Sequence, residues 1–187
     1  ILSMALMQLG LFGALRLVSL RERKILKGLG ATPVNRTALV GSEVLVRLGM
    51  ALLQTLAITV IGYLVFNVVI IGGWFEVFAM VLLGAATFVS LGYLLVSFAR
   101  TEEAGLAVIQ LVQFPMMFLS GIFFPVTMMP KFLQPIVKAM PLGYLGDALR
   151  QIITGYPGDY VLATDVGILL GWFVVTLLLT IRFWKWE

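Results

Sequence analysis

Five stretches of this chain are apolar for long enough, or nearly long enough, to cross a bilayer as helices. Two shorter stretches between them alternate apolar and polar positions at helical spacing. A hydrocarbon core about 30 Å thick takes about 20 residues at 1.5 Å each. Residues 1–15 are free of charge but short, and Arg16 can snorkel from their end to the interface. Residues 48–75 run without a charge, with Gly72-Gly73 as a turn near the end, and 77–99 follow after the single Glu76. That spacing predicts a tight helical hairpin. Residues 104–124 and 161–181 complete the set, the last with Asp165 near its beginning.

Residues 20–46 are the first stretch too polar to span. Between 21 and 29, Ile25, Leu26 and Leu29 share one helical face while Arg23, Lys24 and Lys27 lie elsewhere, which predicts a short helix along the membrane surface. Gly30 is a helix stop, and Thr32-Pro33 reads as an N-cap with proline at the first position of the next helix. An ordinary basic loop would carry the same charges. Residues 131–160 are the second such stretch. Phe132, Leu133, Ile136, Val137 and Met140 follow helical spacing between Pro130 and Pro141, and Leu145, Ala148, Leu149, Ile152 and Ile153 repeat it before Gly155-Tyr156-Pro157-Gly158. Each piece is too short to cross, so the pair is expected to dip into or lie on a leaflet. Asp147 and Arg150 are spaced to pair.

Composition narrows the class. The 187 residues are 61% hydrophobic and 12% charged, half the charged fraction that covers a soluble domain, so lipid replaces water over much of the surface. With no Cys and no His, thiolate and imidazole chemistry, disulfides and structural zinc are excluded, and any catalysis would fall to nine carboxylates. Ten of the thirteen Lys and Arg, including Arg16, Arg21, Arg47, Arg100 and Arg182, fall on one side of the five spans, which makes that side and the C-terminus cytoplasmic. Trp74, Trp184 and Trp186 suit interfacial anchoring. The +4 net charge reads as topology and calls for no nucleic acid. The fold expected is an all-α polytopic bundle in a single domain over 1–187, in a cell membrane. Gly167-x-x-x-Gly171 and Ala86-x-x-x-Ser90 have the spacing of close helix packing.

Two motifs carry a family resemblance. Glu22-Arg23-Lys24-Ile25-Leu26-Lys27-Gly28-Leu29-Gly30-Ala31-Thr32-Pro33 is similar to the motif that precedes a span in permeases of the ABC-2 type, the membrane subunits of ABC exporters. Phe118 to Pro125, Leu133-Gln134, Met140-Pro141-Leu142 and Asp147-Ala148-Leu149-Arg150 resemble the outer motif of the same family. The resemblance implies six spans, so the five here correspond to the second through sixth. It implies that 21–33 is a coupling segment, in which Glu22, Arg23, Ile25, Leu26, Leu29, Thr32 and Pro33 meet a cytoplasmic ATPase subunit. It also implies a dimer of permeases, homomeric or heteromeric, with the path between them. Gln8, Gln110, Gln113, Phe114, Met117 and Ser120 are then candidate path residues, and Gly121, Pro125, Pro141, Asp147 and Arg150 the outer motif. The chain lacks a Gly-x-x-x-x-Gly-Lys-Ser/Thr loop to cradle phosphate, so it binds no cofactor itself and ATP and Mg belong to the partner.

An uncharged wall rich in Phe and Met suits a drug-like or lipid-like cargo, exported by alternating access. Two rival classes remain open at this point. A membrane-embedded enzyme would use Asp147, Asp159 and Asp165 at the outer face, and a channel would need a charged or carbonyl-lined filter.

Overall fold

The computed structural model describes residues 1–22, 36–67, 70–121 and 130–183, with the side chains of 36–40 excepted. Among the described residues the chain is mostly helical, with no strand: α1 (Leu2–Gly13), α2 (Leu15–Glu22), α3 (Arg36–Phe66), α4 (Trp74–Val96), α5 (Glu102–Leu119), α6 (Gln134–Ala139), α7 (Pro141–Thr154) and α8 (Leu162–Phe183). Four helical runs are long and apolar enough to cross a membrane: Leu2–Glu22, which joins α1 to α2, then Gly41–Phe66, Trp74–Val96 and Leu162–Phe183. The molecule is a multi-pass membrane bundle.

Three expected boundaries move. The second span begins well before residue 48: α3 takes in Glu43 and Arg47, whose charges find partners inside the protein, and it stops at Phe66, before Asn67 turns to a φ of 53°. The third begins at Trp74, which puts Glu76 in the first turn of α4, where the positive end of the helix dipole favours a carboxylate. Residues 122–124 of the expected span over 104–124 lie outside the described residues, and the described part is helical from Glu102 to Leu119 and is not among the four. It opens on Glu102 and Glu103 behind a Thr101 cap, whose hydroxyl accepts the Ala104 N–H at 3.2 Å, and it ends where Gly121 takes a φ of 78°.

The core is organised around α4, which packs against α1, α3, α5, α7 and α8. Its crossing with α1 is a backbone contact. A Cβ on Gly10 would lie 2.6 Å from the Phe88 carbonyl carbon, and one on Gly92 would lie 2.7 Å from the Gly10 carbonyl oxygen. Within lipid, helices gain nothing from hydrophobic association as such, so close packing and interhelical hydrogen bonds hold them together. Against α8 the second kind dominates: Ser90 Oγ lies 2.6 Å from Thr176 Oγ1, Thr87 Oγ1 donates to the Leu169 carbonyl at 3.3 Å, and Thr180 Oγ1 donates to the Ser90 carbonyl at 3.2 Å. The Gly167 and Gly171 pair plays no part in the chain's own packing, since a Cβ at either would meet nothing within 4 Å among the described residues.

The helices α6 and α7 follow one another through Met140, and α7 is set against the spans. The α7 end is tied to the segment before α4, where Ile71 N–H donates to the Ile153 carbonyl at 3.0 Å and Gly72 N–H to the Ile152 carbonyl at 2.9 Å. Its beginning lies deep: Trp172, halfway along α8, donates its indole N–H to the Ala139 carbonyl at 2.9 Å. Leu145 fills the space that a side chain at Gly84, halfway along α4, would need. Gly143 faces the Ser120 carbonyl, so α5 ends beside the start of α7, about a dozen ångströms below the α3–α4 connection at 1.5 Å per residue along α7.

Gly10→Val and Gly92→Val are each expected to destabilise the bundle by about 2 kcal/mol or more through overpacking, while Gly167→Val stays near wild type. Thermal melts of detergent-purified variants check the contrast.

Candidate functional site

Three regions concentrate polar chemistry. The first lies at the basic end of the bundle, where α1 breaks into α2. The break is local: Ala14 N–H bonds the Leu11 carbonyl at 3.3 Å, three residues back, and α2 restarts at Leu15. Into this break comes Arg47 of α3, whose guanidinium occupies the space a side chain at Gly13 would fill. Arg47 Nη2 bonds Glu43 Oε2 at 3.1 Å, and its Nε donates to the Tyr93 hydroxyl of α4 at 3.3 Å. Glu43 Oε1 in turn holds Arg16 Nε of α2 at 3.3 Å. One carboxylate therefore serves two guanidiniums and links α2, α3 and α4. The side chains of Glu43 and Arg47 are each 11% exposed and that of Arg16 is 67% exposed. Two further bonds fasten α2 to the α4–α5 turn: Arg21 donates to the Ala99 carbonyl, and the Glu22 carboxylate accepts the Glu102 N–H at 2.9 Å. Glu22, expected in the coupling motif, thus also caps α5.

The second region takes in the exposed positions of α1 and α5, two helices that touch. Gln8 is exposed on α1, and Gln110, Phe114 and Phe118 form an exposed stripe along α5. The other candidate path residues do not share it. Gln113 and Ser120 are buried against the bundle, Ser120 donating to the Met117 carbonyl at 3.1 Å, and Met117 is half-buried.

The third region is the outer knot on α7. Asp147, buried, accepts four hydrogen bonds: Arg150 Nη2 at 2.5 Å and Asp159 N–H at 3.1 Å on Oδ1, Gln151 Nε2 at 3.1 Å and Tyr160 N–H at 3.0 Å on Oδ2. The spacing that suggested an Asp147–Arg150 pair is realised, with Asp159 Oδ2 a second, longer partner of Arg150 at 3.4 Å. Burial, the largest single influence, works against the Arg150 charge, but Asp147 and Asp159 together outweigh it and hold the guanidinium above its ordinary pKa. Gln151 Nε2 also reaches Asp165 Oδ2 and the Tyr160 carbonyl, each at 3.0 Å. Tyr144 stacks on Tyr160 with centroids 5.0 Å apart and donates to the Lys138 carbonyl, and burial first, then Tyr160, pushes its hydroxyl up to about 12. Pro141 starts α7 and is buried, and Gly121 lies just beyond α5. The knot is a clasp that fastens 158–160 onto α7. With all its lone pairs committed to structural donors, Asp147 makes a poor general acid or metal ligand, and the described residues contain no cluster that could hold a metal ion.

Arg23, Ile25, Leu26, Leu29, Thr32, Pro33 and Pro125 lie outside the described residues. The Glu43–Arg47 junction escaped the sequence reading. Its signal was two opposite charges at i,i+4 ahead of an apolar run, the spacing of a helical ion pair.

Comparison with known proteins places the chain. The family model described as "ABC-2 family transporter protein" matches residues 1–182. Nodulation protein J of Rhizobium meliloti (strain 1021) is 33% identical over 78 residues, which is 42% of this chain and 30% of that protein. The match therefore spans under a third of that relative's length.

Removing the two carboxylates that organise these regions gives distinct expectations. Glu43→Ala leaves the buried Arg47 cation uncompensated and is expected to cost about 3 kcal/mol, whereas Arg16→Ala, at an exposed site, costs under about 1 kcal/mol. Asp147→Ala strands two backbone N–H groups and Arg150 and is expected to cost about 3 kcal/mol. Detergent-phase unfolding curves of the three variants rank them.

Proposed function

The chain belongs to the ABC-2 transporter family, and from that premise we propose that it is the permease subunit of an ATP-driven exporter. The observation that carries the reading furthest is the uncovered wall on α1 and α5. Gln8 and Gln110 are exposed there among apolar neighbours, and the amides of such residues are costly to leave against lipid tails, where no water satisfies them. A second permease, identical or homologous, covers that wall in the proposed assembly, and the space between the two walls is the path. Gln113, Met117 and Ser120 belong to the supporting side of α5 in this reading, and Gln8, Gln110 and Phe114 to the lining.

The energy comes from elsewhere. The chain carries no phosphate-cradling loop, so ATP and Mg are bound by a separate cytoplasmic ATPase subunit, which the 21–33 stretch meets through Ile25, Leu26 and Leu29. Arg23, Thr32 and Pro33 shape that contact. Nucleotide binds one arrangement of the assembly better than the other and shifts it between inward-open and outward-open states. The basic end and the C-terminus then face the cytoplasm, in keeping with the charge asymmetry, and α6–α7 form a re-entrant hairpin in the outer leaflet. An apolar wall with isolated amides suits a hydrophobic or amphiphilic cargo, drug-like or lipid-like. The rival reading, an enzyme built on outer carboxylates, loses its leading residue because the Asp147 lone pairs are occupied.

Affinity purification of the full-length protein from its native cells is expected to recover an ATPase subunit in about equal amount, and Leu26→Asp or Leu29→Asp to reduce that recovery at least tenfold. Absence of any ATPase, or export undiminished in both variants, would overturn the proposal.

A further inference from the structure

A cavity of about 330 Å³ opens between the start of α4 and the end of α7, and none of its lining comes from α1 or α5. Its volume is at the small end for a site that holds an organic molecule. Gly72, Glu76, Gln151, Tyr156 and Leu162 are in its wall. The hydrogen bonds that build this wall also decide what it can still offer. The N–H groups of Ile71, Gly72 and Gly155 already bond the carbonyls of Ile153, Ile152 and Gln151, and Pro157 has none to give. The Gln151 amide nitrogen is turned to Asp147, Asp165 and the Tyr160 carbonyl, which leaves its carbonyl oxygen as the group it can present. Glu76 is exposed, and its carboxylate makes no ion pair or hydrogen bond among the described residues. The wall therefore has acceptors available while most of its donors are committed. The charges nearby have the same sign. Asp147 and Asp165 stand directly behind Gln151, Asp159 follows two residues after Pro157, and Arg150 is already held by Asp147 and Asp159. Lys138 precedes α7, about 20 Å from the cavity at 1.5 Å per residue along that helix.

We propose that this cavity binds the primary ammonium group of an organic amine, with the Glu76 carboxylate as counter-charge, the Gln151 carbonyl as a second acceptor and the Tyr156 ring against its side. A primary ammonium carries three donors and no acceptor, which complements what the wall has left. The face of an aromatic ring attracts a cation as well. An anion would meet Glu76 and the carboxylates behind Gln151 with no uncommitted cation to hold it. Trp74 and Phe75, exposed in the same turn as Glu76, are residues suited to the membrane–water boundary. At that depth the amine can arrive from solution or as the headgroup of a lipid such as phosphatidylethanolamine. The site is separate from the proposed path on α1 and α5, and it does not depend on the coupling reading.

The test uses the full-length protein, with whatever subunits co-purify, in nanodiscs of phosphatidylcholine, whose quaternary headgroups carry no N–H. Phenethylamine is titrated in by calorimetry, and the heats from empty nanodiscs are subtracted. Saturable binding is expected, weakened about tenfold or more in Glu76→Gln and about threefold in Tyr156→Ala. Phenylacetate, of similar size and opposite charge, is expected not to bind. Both substituted residues are exposed, so the thermal melts of the variants are expected to match wild type. Replacing half the lipid by phosphatidylethanolamine separates the two sources. A drop of about threefold or more in apparent phenethylamine affinity assigns the site to a lipid headgroup, and an unchanged affinity assigns it to a soluble amine. Undiminished binding in Glu76→Gln, phenylacetate bound as tightly as phenethylamine, or no saturable binding of phenethylamine overturns the proposal.

Discussion

Lipid tails accept and donate no hydrogen bonds, and the rest of this structure follows from that constraint. Each polar group carried into the bundle must be met by another part of the chain. Between α4 and α8 the hydroxyls of Thr87, Ser90, Thr176 and Thr180 meet one another or a carbonyl of the facing helix, and in bilayers such bonds are worth about 0.6 kcal/mol on average. At the basic end Glu43, Arg47 and Tyr93 answer one another. At the opposite end Asp147 gathers four donors. The amides of Gln8 and Gln110 depart from this pattern, being exposed among the described residues.

The central helix turns that constraint into an architecture. Glycine at Gly10 and Gly92 lets α1 and α4 touch backbone to backbone, and Gly84 opens a slot for Leu145. With α4 bound to α8 by hydroxyls and to α3 through Arg47, these helices make a frame. By contrast α1 gives way to α2 at Ala14 and α5 ends at Leu119, and these two bear the exposed Gln8 and Gln110.

The spans were legible in the sequence because their signal is sheer apolar length. Their limits were not. Reading charge as a boundary cut α3 at residue 48, since nothing in a linear pattern reveals that Glu43 and Arg47 will satisfy each other and Tyr93 across the bundle. The same rule started α5 two residues late, because Glu102 and Glu103 sit in its first turn behind the Thr101 cap. Glycine spacing pointed to Gly167 and Gly171, whereas the close crossing uses Gly10 and Gly92: a spacing identifies a smooth face but not what meets it. The Asp147–Arg150 pair was readable because it is local. The three other donors on Asp147 come from Gln151 and from the far side of the 155–158 turn, and of these only Gln151, four residues on, lay within a helical spacing.

The α6–α7 segment is held at two places: by Trp172 on the Ala139 carbonyl where the helices meet, and by the Asp147 clasp and the Gly72 and Ile71 bonds at the end of α7. A segment anchored in this way moves with α4 and α8 as one body. In the proposed assembly it is therefore a fixed wall, and any opening on that side comes from α1 and α5 rather than from this segment.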